Sequence, residues 1–176
     1  SMSNINIKLN EVYKKFNSKN KKESLQEIKK LLTQNPNSEQ VNNLYYQICI
    51  SFNLINEAIA SLQTLIKLQP NKKIYLIKLY ISYMTIHNHE KALYYINKLL
   101  LIDIENFQAL RDKSYIFYLR NEITKSKKYA KIALKLNNKD FFLNNINGLI
   151  LFSEKKYAEA IKFFNIAIEQ KNNYID

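Results

Sequence analysis

Glycine occurs once and proline twice in 176 residues, and that scarcity excludes more than any residue present. Without a glycine cluster there is no phosphate-cradling loop, and with so few breakers the chain favours helix almost throughout. Cysteine is single, at Cys49, so no intrachain disulfide can form. No apolar run approaches the ~18 residues that a membrane span requires. The N-terminal stretch, interrupted by Asn4, Asn6 and Lys8, lacks the apolar core of a signal peptide. These absences lead to the expectation of a cytoplasmic protein with no membrane partner. Ser1, standing before Met2, reads as an expression remnant outside the fold.

Sites of chemistry are equally scarce. The two histidines, His87 and His89, lie in one polar stretch, His87-Asn88-His89-Glu90, with no further histidine or second cysteine. Zinc wants three or four converging ligands, so this stretch reads as a hydrated turn and no metal site is expected. Cys49 stands between Tyr45 and Phe52 on an apolar stripe with no base or cation at helical spacing, so it reads as a small buried hydrophobe. Nucleophile and base do not converge, and no cofactor or enzymatic activity is expected.

What the chain does have is a period. From Gly148, Tyr157 follows nine residues later, Ala160 after three more, Phe164 after another four and Ala167 after another three. Stepping back from Ala160 by 34 residues lands on Ser126, Ala92, Ala58 and Ser24, a small residue each time, and Pro36 and Pro70 share that spacing. Spacing and side chains resemble the tetratricopeptide repeat (TPR), a module of two antiparallel helices with a 34-residue period. The resemblance implies an all-α fold, a right-handed α-solenoid of antiparallel helix hairpins, as a single TPR domain over 1–176. The five repeats would span 5–38, 39–72, 73–106, 107–140 and 141–174.

The first repeat is the least regular, with its stripe displaced to Leu9, Val12, Tyr13 and Phe16, followed by Leu25, Ile28, Leu31 and Leu32 on the second helix. The second repeat follows Ser38, a capping residue, with Val41, Leu44, Tyr45, Ile48, Cys49 and Phe52 at helical spacing and Asn53 at the turn. In the third, Leu76, Leu79, Tyr80 and Tyr83 form the packing stripe, yet Ile74, Ile77, Ile81 and Met84 leave the helix apolar on nearly every side, the pattern of a helix buried all round. The fourth begins after Asn106 and the fifth after Asp140. In the fifth, Gly148 is expected where the two helices approach closest, and Asn144 and Asn147 replace large apolar residues. Ile175 and Asp176 would open a sixth repeat. With no polar capping helix, Phe163, Phe164 and Ile168 would be partly exposed, so the chain is expected either to be a fragment of a longer protein or to pair as a homodimer through that face.

The resemblance also implies a function, the binding of a protein or peptide in a concave groove lined by first helices. The groove candidates are Asn43 and Gln47 in the second repeat, Ile77 and Ile81 in the third, Gln108, Arg111, Tyr115 and Tyr118 in the fourth, and Phe142 and Asn145 in the fifth. Gln40, Ile50, Ile74, Met84, Leu149 and Phe152 would extend the same lining. Amides can pair with a peptide backbone, aromatics can hold its apolar residues, and Arg111 can fork to a carboxylate. The subclass that clamps chaperone C-terminal carboxylates uses Lys and Asn at the fifth and ninth positions of one repeat, Asn at the sixth of the next, and Lys and Arg at the second and sixth of the third. The frames available here give Leu9, Tyr13, Leu44, Ile74 and Lys78, or Asn43, Gln47, Lys78, Gln108 and Asp112, or Ile77, Ile81, Asp112, Phe142 and Ile146. None reproduces the clamp.

Net charge is +12, concentrated in two repeats: eight basic against three acidic residues in 5–38, and nine against three in 107–140. Lys127, Lys131 and Lys135 align on one helix face beside Lys125 and Lys128. The competing function is therefore binding of nucleic acid or another polyanion through this basic surface. Against it, only Arg111 and Arg120 are arginines, and no stacking platform interleaves with the lysines. A further alternative is a regulatory or substrate-recruiting front end of a larger enzyme.

Overall fold

The apolar stripes become helices. The computed structural model describes residues 2–175, with the side chains of residues 4–173. Among the described residues every regular element is an α-helix. In chain order these are α1 Met2–Phe16, α2 Lys21–Gln34, α3 Glu39–Ser51, α4 Ile55–Leu68, α5 Lys73–Thr85, α6 His89–Ile102, α7 Phe107–Leu119, α8 Ile123–Leu136, α9 Phe141–Ser153 and α10 Tyr157–Ile175. From α3 onward, first helices begin at 39, 73, 107 and 141 and second helices at 55, 89, 123 and 157, so the 34-residue period of the side chains is also a period of the backbone.

Local chemistry sets where these helices stop and start. After α3, α5, α7 and α9 the chain turns through Asn53, His87, Asn121 and Lys155, whose φ angles of 58°, 59°, 58° and 63° lie in the left-handed region. That conformation lets the next amide reach back five residues. Leu54 N–H donates to Cys49 O at 2.8 Å, and Asn88, Glu122 and Lys156 donate to Tyr83, Phe117 and Leu151 at 2.9 Å. The helices α2 and α4 end just before Pro36 and Pro70, which cannot donate to a preceding turn. At helix starts, the side chains of Ser38, Asn106 and Asp140 accept from the N–H of Val41, Ala109 and Leu143 at 3.3, 3.0 and 2.8 Å.

The chain divides into two compact units, residues 1–95 and 96–176, the division falling inside α6. In the N-terminal unit Val12, Ile28, Leu31, Val41, Leu44, Tyr45, Ile48, Cys49 and Ala58 form one cluster, with Leu9, Phe16, Leu25 and Leu32 packed against it. Each fully buried Leu or Ile there contributes about 1.5–3 kcal/mol. Cys49 has no exposed surface, and burial pushes its thiol up; burial likewise pushes the Tyr45 hydroxyl up to about 12. Two expectations need correction. Tyr13 is 51% exposed, because α1, covered by α2 and part of α3 but by no preceding repeat, buries a narrower stripe than the periodicity suggests. Helix α5 is not buried all round: Tyr75, Leu76, Leu79, Tyr80 and Tyr83 are buried, whereas Ile74 and Ile81 face solvent.

In the C-terminal unit the core gathers Leu110, Ala130, Ala133, Leu143, Ile146 and Ile150. Ser114 Oγ donates to Ser126 O at 2.8 Å, and Ser126 Oγ donates to Ser114 O at 2.7 Å, locking α7 to α8 through two small side chains. Gly148 meets α10 closely: a Cβ built on it would stand 2.6 Å from Phe164 Cδ1. Asn144 is fully integrated. Its Nδ2 donates to Asn138 O, Asp140 O and Gln170 Oε1 at 3.0, 3.1 and 2.7 Å. In the N-terminal unit Asn42, at the same place in the period, ties down the preceding turn through Pro36 O and Ser38 O, both at 2.9 Å. Asn147, by contrast, has a buried Nδ2 with no partner. Ile175 does not open a new element, since α10 runs on through it, and Asp176 and Ser1 lie outside the described residues.

Candidate interaction surface

In the N-terminal unit α3 and α5 present a shared face. Tyr75 Oη donates to Glu39 Oε1 at 2.6 Å and Lys72 Nζ lies 2.7 Å from the same carboxylate, tying the start of α5 to the start of α3. These two donors hold the Glu39 carboxyl below its ordinary range. Further along, Lys78 Nζ of α5 stands 5.0 Å over the Tyr46 ring of α3. On α3, Asn43 is half-buried and its Oδ1 is buried with no hydrogen-bond partner, while Gln47 is exposed. On α5, Ile77 is half-buried, and Ile74 and Ile81 are 44% and 37% exposed.

The corresponding face of the C-terminal unit belongs to α7 and α9. Gln108 and Asn145 are exposed; Arg111, Tyr115, Tyr118 and Phe142 are half-buried. Tyr115 meets Phe142 edge to face with ring centroids 5.2 Å apart. The Arg111 guanidinium lies 5.0 Å over Phe142, and its Nε and Nη1 donate to Asp112 Oδ1 at 3.1 Å and Asp140 Oδ2 at 3.0 Å. The carboxylates it forks to are thus the protein's own, and what remains on offer is an aromatic surface.

Two further features of the C-terminal unit bear on binding. Phe163 and Phe164 are half-buried and Ile168 is 58% exposed. A cavity of about 410 Å3 opens beside them, lined in part by Phe142, Phe164, Ile168 and Lys171. On α8, Lys131 and Lys135 are exposed, whereas Lys127 pairs with Glu154 at 2.9 Å and Lys125 with Glu122 at 3.4 Å. Among the described residues no three His, Cys, Asp or Glu side chains gather as a metal set, and no helix is long and apolar enough to cross a membrane. Sequence reasoning passed over Tyr46, and met Lys78 only as a misfit to the carboxylate clamp. The available signal was a lysine amid the isoleucines of α5.

No protein-family model matches the sequence, nor does any curated protein. Solved structures do match. A crystal structure of MamA superposes with a TM-score of 0.82 at 17% identity, covering 98% of this chain and 94% of that one. MamA from Desulfovibrio magneticus gives a TM-score of 0.80 at 12% identity, with 96% of each chain covered. A tetratricopeptide repeat protein from Parabacteroides merdae gives 0.81 at 16% identity, covering 96% of this chain and 67% of that one. At such identities the likeness speaks for architecture alone. Among the described residues, paired helices that step at 34 residues from α2 onward, matched over nearly the whole chain by these structures, give the chain the all-α fold of a tetratricopeptide-repeat array.

Proposed function

We propose that the chain is a non-enzymatic scaffold that docks a peptide or partner-protein segment on its first-helix faces, α3 with α5 in the N-terminal unit and α7 with α9 in the C-terminal unit. The observation that carries this reading is the pair of isoleucines on α5. Ile74 and Ile81 stay 44% and 37% exposed on a helix whose opposite side is fully buried, so their apolar surface serves no core. Amides at Asn43, Gln47, Gln108 and Asn145 flank the apolar groups and suit an extended backbone. Tyr115, Tyr118 and Phe142 supply aromatic area of the sort that dominates binding energy. The polyanion reading has less support, because two of the five α8 lysines are already paired with glutamates.

A random dodecapeptide pool passed over the immobilised full chain tests the proposal. Retention should survive about 0.3 M salt, where phosphate-driven binding collapses. It should fall at least about tenfold in the Ile77→Asp/Ile81→Asp variant, which buries charge in the docking face. Retention unchanged in that variant, or lost with salt alone, overturns the reading.

A further inference from the structure

Two lysines of the N-terminal unit, Lys15 and Lys78, are half-buried. Lys15 pairs with Glu27 and Glu23, and Lys72 with Glu39. Lys78 is half-buried, yet among the described residues no carboxylate faces it. The nearest anionic group on these elements, Glu39, is already engaged by Lys72, Tyr75 and Gln69. Burial pushes the Lys78 ammonium below the usual lysine range, and the like charge of Lys72 adds to the effect. The Tyr46 ring 5.0 Å away offers a weak compensation. A partly desolvated, unpaired cation destabilises a fold, and packing does not call for it, since an unbranched apolar side chain would fill the same space.

The surroundings indicate what would relieve it. Ile74 precedes Lys78 by one helical turn and Ile81 follows it by one, so the ammonium is set between two exposed apolar side chains. A half-buried cation between two exposed apolar side chains matches one kind of partner.

We infer that the α3–α5 face recognises an acidic–apolar protein segment, in which an Asp or Glu carboxylate accepts from Lys78 Nζ while flanking apolar side chains cover Ile74 and Ile81. The inference rests on the docking role proposed above and adds its chemical selectivity. A polyanion is the poorer fit, because α3 carries no basic residue and α5 only Lys73 and Lys78, which makes no row of cations. The α7–α9 face does not share the preference, its guanidinium being neutralised from within by Asp112 and Asp140.

Two synthetic dodecapeptide pools test this on the full chain, one randomised over Leu, Ile, Phe, Ala, Asp and Glu, the other with Asn and Gln replacing Asp and Glu. The acidic pool should be retained about tenfold more strongly, the worth of a charge-assisted contact. Lys78→Met should abolish that preference while leaving retention of the amide pool intact, which also shows that the variant is folded. Lys78→Arg should keep the preference. Lys131→Gln, which removes one exposed positive charge from α8, should leave it unchanged. Equal retention of both pools, or an equal loss in Lys131→Gln, overturns the selectivity while leaving the docking role standing. Retention of neither pool overturns both.

Discussion

The two units solve one packing problem in different ways. At the eighth residue of each period the N-terminal unit places Val12, Tyr46 and Tyr80, whereas the C-terminal unit places Ser114 and Gly148. The small residue of the second helix does not change to match: Ser24, Ala58, Ala92 and Ser126 have no exposed surface and Ala160 has 1%. The N-terminal unit therefore sets large against small at this level. The C-terminal unit sets small against small and fills the remaining space with the mutual Ser114–Ser126 hydrogen bonds and with the Phe164 ring over Gly148. Their first-helix faces differ too, one with an unpaired ammonium and the other with a guanidinium held by two carboxylates. A shared period does not make equivalent positions interchangeable.

The packing half of this contrast breaks most sharply at Gly148. Gly148→Val puts branched carbons where the Phe164 ring already stands, and the overpacking should cost about 2–3 kcal/mol in urea unfolding. Phe164→Ala alone should cost about 2 kcal/mol, because the ring is only half-buried. The double variant should be less destabilised than the sum of the two, since the smaller residue makes room for the larger. Strict additivity would mean that Phe164 is not what makes glycine necessary.

The electrostatic half is sharpened by a pair of methionine substitutions with opposite signs. Arg111→Met should destabilise by about 2 kcal/mol at neutral pH, because Asp112, 6% exposed, and Asp140 lose their cation together. Lys78→Met should instead raise Tm, by on the order of 2 °C, by removing a charge whose desolvation is uncompensated. The pH dependence follows from the direction of the shift. With the Lys78 pKa lowered in the folded state from 10.5, the unfolded chain binds more protons between the lowered value and 10.5, so the parent protein gains stability as pH rises through that window. The advantage of Lys78→Met should be full below the window and shrink across it. Thermal melts at pH 7 and pH 10.5 check this, and an advantage that grows with pH would refute the account.

How much of this was legible in the sequence follows the range of the interactions. The caps at Ser38, Asn106 and Asp140 are local, each side chain bonding an amide three residues on, and reading along the chain suffices to find them. The helix pairs are legible because small residues and prolines recur at one spacing. The Arg111 pairing is not, since Asp140 lies 29 residues away and meets Arg111 only once α9 is laid beside α7. On α5 the periodicity alone gives a helix apolar on all sides, and hydropathy does not register which of its apolar side chains have neighbours; only the repeat resemblance sets Ile74 and Ile81 on an open face. The anomaly of Lys78 leaves in the sequence only a lysine amid isoleucines, for an unpaired charge becomes costly only through burial. The helix α10 continues past the point where α2, α4, α6 and α8 end, a difference the repeat spacing does not announce.

The smallest effect sharpens the comparison at the turns, where the units agree in backbone but not in side chain. Asn53, His87 and Asn121 are residue types that enter the left-handed region at modest cost, whereas Lys155 holds φ at 63° with a Cβ and a long side chain. Lys155 is exposed, so its side chain adds little by burial, and glycine would keep the back-bond from Lys156 N–H to Leu151 O. Lys155→Gly should therefore stabilise by about 0.5–1 kcal/mol, reduced by the greater freedom of glycine in the unfolded chain and by loss of a cation near a helix C-terminus. Asn121→Gly should change stability by no more than a few tenths, since asparagine already tolerates that backbone. Lys155→Ala separates the causes: it removes the charge and the long chain but keeps the Cβ, and should give no gain. A gain equal to that of glycine would place the strain in the lysine side chain instead of the backbone.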